Sequence, residues 1–336
     1  MQLYNKNYMS QLIHPSVLLK EAVDVLEINP GDTVVDATIG GAGHFSVFLE
    51  KLDAEGTLIG IDADADAIAR AQAVYDAAEE SPRMFLVEDN FRNLESILDE
   101  RNIQLVDKVL FDLGWSGYQL SRGKGFSFQK DEPLLMTYGD AGQATAADVV
   151  NSTPEAELAD MLYELGEEQF SRRIAHAIVE ARKLERIETT FQLVEIIKSG
   201  TPDWYHHRRL HPATKTFQAL RIYVNDELGA LREGITAALA RTAPGGRVAV
   251  ITFHSIEDRI VKHLFRDEVV KGNGALAAKK PILPSAAELS ENPRARSAKL
   301  RVFEVCPNAK KKNFNNETII NHSAASNHSS NHHLYV

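Results

Sequence analysis

Asp36-Ala37-Thr38-Ile39-Gly40-Gly41-Ala42-Gly43-His44 decides the fold. It follows a short apolar run, Thr33-Val34-Val35, and precedes a segment from Phe45 to Leu52 with helical spacing. Strand, glycine-rich turn and helix in that order make the first unit of an open α/β sheet. Glycines in such a turn let a ligand come close to the backbone, and the helix N-terminus beyond it offers free N–H groups. A dinucleotide fingerprint needs G-x-G-x-x-G, but counted from Gly41 the third glycine position is Ser46. An acidic residue ahead of a tighter glycine cluster suits a nucleoside-type ligand without a pyrophosphate, such as S-adenosylmethionine.

Working outward, Leu58-Ile59-Gly60-Ile61-Asp62 reads as a second strand, with an alanine-rich helix over 66–78. Residues 84–87 read as a third strand and 106–113 as a fourth. Strands alternating with helices at this pitch predict a parallel sheet covered on both faces. Three side chains fall at strand ends, where ligands bind in such sheets. Asp62 ends the second strand, where a carboxylate can accept both ribose hydroxyls. Phe91, in Glu88-Asp89-Asn90-Phe91, follows the third and suits an adenine ring. Asp112 ends the fourth, in reach of a methionine moiety or a substrate. Singly, the aspartates also fit as helix caps and Phe91 as core.

The next strand of this kind, residues 247–253, comes only after a long gap, behind a predicted helix over 216–241 and the turn Ala243-Pro244-Gly245-Gly246. Most of residues 120–215 is therefore surplus to the sheet, and it reads as helical. Ser152-Thr153-Pro154-Glu155 has the form of a capping-box start with Gly166 as its stop. Phe170, Ile174, Ile178 and Ala181 form an apolar stripe, and Thr190 is placed to cap a further helix. The expected organisation is a Rossmann-like domain from 1–119 and 216–306, an inserted helical domain over 120–215, and a disordered tail over 307–336, rich in Lys, Asn, Ser and His. Residues 256–265 read as helix and 299–305 as a closing strand.

Composition narrows the setting. The 336 residues are 44% hydrophobic and 25% charged, ordinary for a soluble protein. The single cysteine, Cys306, rules out an internal disulfide framework and a thiolate zinc cluster. No apolar run reaches the roughly 20 residues of a membrane helix, and the expected location is the cytoplasm. A net charge of -10 is awkward for a nucleic-acid partner. Its distribution is uneven, however: residues 172–221 hold ten Lys/Arg against five Asp/Glu, a net of +5. That suits a local RNA footprint, and it equally suits a solvated helix face.

Beyond these readings, the chain resembles the bacterial 16S ribosomal RNA cytosine-N4 methyltransferases of the RsmH (MraW) family, over nearly all of its length before the tail. The resemblance is carried by His14-Pro15-Ser16-Val17-Leu18-Leu19-Lys20-Glu21, Gly40 to His44, Asp112-Leu113-Gly114-Trp115-Ser116-Gly117-Tyr118-Gln119-Leu120 and Gly125-Phe126-Ser127-Phe128. Further on it is carried by Gly166-Glu167-Glu168-Gln169-Phe170, His211-Pro212-Ala213-Thr214-Lys215-Thr216-Phe217-Gln218-Ala219-Leu220-Arg221, Phe253-His254-Ser255-Ile256-Glu257-Asp258-Arg259 and Asn292-Pro293-Arg294-Ala295-Arg296-Ser297. It implies contacts to S-adenosylmethionine at Ala42, Gly43, His44, Asp62, Phe91, Asp112 and Gln119. It also implies a helical insertion that helps hold RNA, and a target cytidine in the decoding region of the small ribosomal subunit. Three positions depart from the family pattern: Gly117 replaces a serine, Leu135 an aspartate and Thr137 an arginine. All three fall on the substrate-side lip.

A sulfonium donor needs chiefly in-line alignment of a nucleophile. Cytosine's exocyclic amine is weak, and an acceptor for its N–H would strengthen it; Asp112 is the candidate. No cysteine lies near the glycine-rich turn, which excludes the covalent route of cytosine-C5 enzymes. His254 reads equally as a substrate-side group or a satisfied strand-end histidine. The competing functions are a DNA amino-methyltransferase, disfavoured by the missing Pro-Pro-Tyr signature, a non-catalytic nucleoside-binding module, and an NAD oxidoreductase.

Overall fold

The computed structural model describes residues 16–78, 81–113, 123–138 and 143–306. Its frame is a seven-stranded sheet of β1 (Thr33–Asp36), β2 (Thr57–Asp62), β3 (Arg83–Glu88), β4 (Val106–Asp112), β5 (Thr242–Thr252), β6 (Gly274–Leu276) and β7 (Lys299–Val305). The spatial order is β3-β2-β1-β4-β5-β7-β6. Strands β1 to β5 pair in parallel, as the alternation predicts. The last two do not: β7 runs antiparallel to β5, and β6 antiparallel to β7. The sheet is thus mixed, with its antiparallel pair at one edge, a common addition to doubly wound sheets.

Neighbouring residues on a strand face opposite sides, and the sheet sorts its core accordingly. Val34, Leu58, Leu110 and Ala249 pack with α1 (Leu19–Leu26), α2 (Gly43–Lys51) and α3 (Ala65–Asp76). Val35, Ile59, Val109 and Val248 face the other way, onto α4 (Leu94–Glu100), α11 (Glu227–Arg241) and α12 (Ser255–Val270).

Helices of the 146–225 region build a third apolar cluster of their own, to which the short Asp203–His206 helix adds no residue. They are α5 (Ala146–Ser152), α6 (Glu155–Gly166), α7 (Ser171–Arg182), α8 (Thr190–Gly200), the short α9 (Asp203–His206) and α10 (Thr214–Asn225). Leu158, Leu162, Ile174, Ile178, Leu193 and Ile197 lie at its centre, joined by Leu134 and Met136. Phe217, Leu220 and Val224 belong to it as well, so this core extends past residue 215, where the sequence division ends it. The close approach of α6 to α10 depends on Gly166, where a Cβ would stand 2.5 Å from the Lys215 carbonyl oxygen.

Three local expectations are corrected, one of them Thr190, which is the first residue of α8 rather than its cap. The helix expected over 216–241 is two helices, because Asp226 takes a left-handed conformation at φ 46. Asn225 anchors the break, donating to the Met136 carbonyl at 2.7 Å and accepting the Tyr138 N–H at 2.9 Å. Ser152 does not cap α6; Pro154 sits at the cap position without a side-chain bond, and the Ser152 hydroxyl donates back to the Asp148 carbonyl. Full capping boxes occur instead at Thr145 with Asp148, and at Thr189 with Gln192. Among the described residues no helix is long and apolar enough to cross a membrane. The expected tail, 307–336, lies outside the described residues.

Candidate active site

Strand order reverses between β1 and β4, each leading its chain away to a different side. The crevice beyond the carboxyl ends at such a switch point is where open α/β sheets bind ligands. The glycine-rich turn lies there. Gly40 has φ 52, and Ala42, the residue before α2, has φ 63. A left-handed alanine costs about 1–2 kcal/mol. The turn is held in place by an Ala42 N–H bond to the Ile39 carbonyl at 2.7 Å and a Ser46 N–H bond to the Ala42 carbonyl at 2.9 Å. A Cβ built on Gly41 would meet nothing within 4 Å, so the turn is open on that side.

Asp62, ending β2, braces this turn. Its Oδ2 accepts the Gly40 N–H at 2.8 Å and its Oδ1 the Asp64 N–H at 2.9 Å. From the other side Arg70 donates twice to the Gly40 carbonyl, at 2.9 and 3.1 Å. Burial pushes the Asp62 carboxyl up to about 6, against the lowering effect of those two N–H bonds. Each carboxylate oxygen has a further lone pair, so two ligand hydroxyls can still be accepted.

Asp36 ends β1 and is fully buried. Its Oδ1 accepts the Thr38 N–H at 3.2 Å, while its Oδ2 has no hydrogen-bond partner among the described residues. Burial drives its carboxyl well above the usual range, and the neighbouring Asp112 and Asp62 add to the rise. Asp112 ends β4, and its N–H donates to the Thr38 hydroxyl at 2.7 Å. Its Oδ2 lies 3.5 Å from Nδ1 of His44, in the first turn of α2. Burial pushes the His44 imidazole down to about 4, with the Val17 carbonyl acting the other way. It is therefore neutral at physiological pH.

Phe91 opens a one-turn 3-10 helix, Phe91–Asn93, capped by the Asn90 side chain. It stands edge-on to Phe111 with ring centres 5.5 Å apart, against Gly234 of α11. The Asp89 N–H bonds the Asp62 carbonyl at 3.0 Å and so ties the ends of β2 and β3 together.

Of the residues expected at the site, Ala42, Gly43, His44, Asp62, Phe91 and Asp112 thus lie on the turn or at the carboxyl ends of β2 to β4. Gln119 and Gly117 lie outside the described residues. Thr137 is buried and Leu135 half-buried, beside Tyr138, whose hydroxyl donates to Glu227 at 2.6 Å. His254 is engaged in a helix cap: it precedes α12, forms a capping box with Glu257, and has Nε2 3.0 Å from Oε1 of Glu257. Its Nδ1 accepts the Glu257 N–H at 3.4 Å, while its buried Nε2 makes no hydrogen bond among the described residues, so the ring is satisfied at one nitrogen only. The sequence reading missed Thr38 and Arg70, whose partners are distant backbone groups.

The chemistry of this donor set is acidic. Asp62 and Asp112 lie near enough to raise the proton affinity of Asp36. Such a crevice disfavours a pyrophosphate and favours a ligand with positive charge. A sulfonium that also carries an ammonium meets that requirement, and the unpartnered Oδ2 of Asp36 offers a buried acceptor for it. No group of three metal-binding side chains occurs among the described residues.

Residues 11–306 match the model of the MraW methylase family. A ribosomal RNA small subunit methyltransferase H of Streptococcus mutans is 46% identical over 306 residues, covering 87% of this chain and 97% of the relative. The enzyme of the same name from Deinococcus radiodurans is 47% identical over 294 residues, covering 87% and 89%. Among solved structures, an rRNA methylase from Streptococcus thermophilus overlaps 91% of this chain and 99% of its own, at 11% identity and a TM-score of 0.38. That overlap is shallow, and kinship rests on the sequence matches. The chain belongs to the MraW methylase family of S-adenosylmethionine-dependent methyltransferases.

Proposed function

We propose that this protein methylates N4 of a cytidine in the decoding region of 16S ribosomal RNA, in the cytoplasm, with the small ribosomal subunit or its RNA as partner. The carrying observation is the meeting of Asp62, His44 and Asp112 around the glycine-rich turn, in a chain 46% identical to a named small-subunit rRNA methyltransferase. In this reading residues 1–119 and 216–306 form the catalytic domain and 120–215 an inserted RNA-holding domain, with α10 packed into the latter.

S-adenosylmethionine, when bound, supplies an electrophilic methyl carbon on a sulfonium. The residues of the chain do the rest. Asp62 would accept the ribose hydroxyls, and Phe91 would lie against the adenine. Gly40 to Gly43 leave room for the ligand, and the family resemblance adds Gln119 to the residues that would hold it. Asp112 sets a negative field that favours the cationic end, and the unpartnered Oδ2 of Asp36 offers that end a polar contact. Asp112 would accept an N–H of the target amine and take its proton as the methyl group passes to nitrogen and the sulfonium leaves as a thioether. Neutral His44 beside it adds no positive charge that would blunt the carboxylate.

The test is calorimetry with S-adenosylhomocysteine followed by methyl transfer onto purified small subunits, naked 16S RNA and DNA, with the product nucleoside identified by mass spectrometry. N4-methylcytidine from the ribosomal substrates alone is the expected result. Methylated DNA would turn the assignment to a DNA amino-methyltransferase. Binding without transfer to any acceptor would leave a nucleoside-binding module.

A further inference from the structure

The basic stretch over 172–221 is less uniform than its sequence suggests. Lys183, Arg186 and Lys198 are ion-paired with Glu180, Asp148 and Glu195. Arg182 donates to the Val150 and Thr153 carbonyls, Lys215 to the Glu167 carbonyl, and Arg221 binds Glu227. Arg172, Arg173, Arg208 and Arg209 are exposed and have no carboxylate or carbonyl partner among the described residues. Arg172 and Arg173 stand in the first turn of α7, where the helix dipole disfavours a cation. No ion pair within the described residues accounts for charge at those places.

Two of these arginines lie over rings of an aromatic cluster, and the other two are their chain neighbours. Phe170, Trp204 and Tyr205 meet edge-on, with ring centres 5.0 to 5.9 Å apart. Arg173 lies over Phe170 at 5.8 Å and Arg208 over Tyr205 at 5.3 Å. Tyr205 is buried, yet Trp204 is 58% exposed. The cluster is anchored from below, since the Tyr205 hydroxyl donates to the buried Glu168 at 2.7 Å. The adjacent Glu167 accepts from Ser255 at 2.6 Å and Arg259 at 2.8 Å, in the first turns of the helix that leaves β5. Two successive glutamates therefore fix the exposed ring relative to the sheet that carries the candidate site.

We propose that Trp204 is a platform on which one unpaired base of the RNA substrate stacks, with Arg172, Arg173, Arg208 and Arg209 holding the flanking phosphates. An exposed aromatic ring accepts any base face, and unpaired arginines around it match the spaced negative charge of a single strand. A folded protein partner would call for an apolar patch rather than one exposed ring in a cluster flanked by arginines. The proposal rests on the RNA reading above and adds the part of the surface that holds the strand.

The experiment measures binding of the full chain to a labelled single-stranded RNA decamer and to the same sequence as a duplex. Trp204→Ala is expected to weaken single-strand binding by roughly 5- to 150-fold, the range that one base–aromatic stack commands. Trp204→Phe recovers most of it, while duplex binding and S-adenosylhomocysteine affinity stay as they are. Replacing each of the four arginines by Gln should lower the steepness of the log–log salt dependence by about 0.7 for every phosphate left without its cation. Unchanged single-strand affinity in Trp204→Ala overturns the platform. So does a variant with unchanged RNA affinity but impaired transfer to assembled subunits, since the ring would then meet a protein. If the unaltered protein methylates no RNA while Trp204→Ala still weakens strand binding, the methyl-transfer reading falls and the platform stands.

Discussion

Keeping Asp62 ionised has a cost. Its carboxyl is pushed from an ordinary 3.8 to about 6 by burial. Between those values the folded chain holds more protons than the unfolded one. Stability therefore falls as pH rises through that window, with a full penalty above about 6 on the order of 3 kcal/mol. In the proposed reading, ligand hydroxyls that bond to the ionised form offset part of this. Affinity for S-adenosylhomocysteine is accordingly expected to fall when pH is lowered from 7.5 to 5, and calorimetry at several pH values reads it; a flat profile would separate Asp62 from the ligand. Asp62→Ala should weaken binding by about 1.5–3 kcal/mol for each charge-assisted bond removed. Asp112 is distinguished by kinetics. Asp112→Asn keeps the shape and removes the charge, so a role on the target amine predicts a drop in kcat of about 10²- to 10⁴-fold with cofactor affinity nearly unchanged. If affinity falls first and saturating cofactor restores the rate, the residue holds the methionine end instead.

At the scale of elements, two glycines show how the kind of neighbour sets the cost of a methyl group. A Cβ on Gly60 of β2 would press on the side-chain ends of Ile39, Phe45 and Leu86 at 2.8 to 3.0 Å, all of which can shift slightly. On Gly166 it would meet backbone, the Lys215 carbonyl oxygen at 2.5 Å, which cannot shift without moving α10. Gly166→Ala should lose about 1–3 kcal/mol in urea unfolding despite its better helix propensity, with the m-value unchanged; Gly60→Ala should lose less. The same contrast between local and distant partners explains what was legible in the sequence. Strands β1 to β4 are short apolar runs bounded by turns, and Asp62 and Asp112 stand at their ends, so spacing alone located them. Asp226 breaks a helix whose apolar period continues across the break, and only its tertiary partner Asn225, tied to Met136 and Tyr138, marks the place. Gly274-Ala275-Leu276 is too short to show a period. Thr38 and Arg70 serve the site through hydrogen bonds to backbone groups of other elements, which no spacing along the chain encodes.

For the whole molecule, the question is what holds the helical cluster in register with the sheet. Its apolar core is separate from the two cores that flank the strands. Polar contacts bridge them, among them Arg221 and Tyr138 on Glu227, and Glu167 on Ser255 and Arg259. The bonds from Ser255 and then Arg259 hold the Glu167 carboxyl below its usual range, so the contact persists at neutral pH. Glu167 and Arg259 are exposed, and an ion pair in that setting is worth only about 0–1 kcal/mol. Removing it should therefore hardly alter global stability, yet Glu167 precedes Glu168, on which Tyr205 and hence Trp204 are seated. Glu167→Ala is expected to leave the unfolding midpoint and S-adenosylhomocysteine affinity nearly unchanged, and to raise KM for the RNA substrate. Urea unfolding, calorimetry and methyl-transfer kinetics on one preparation separate the possibilities. A large loss of stability would make the contact part of the fold itself. An unmoved KM would mean that apolar packing of α10 alone sets the angle between the helices and the sheet.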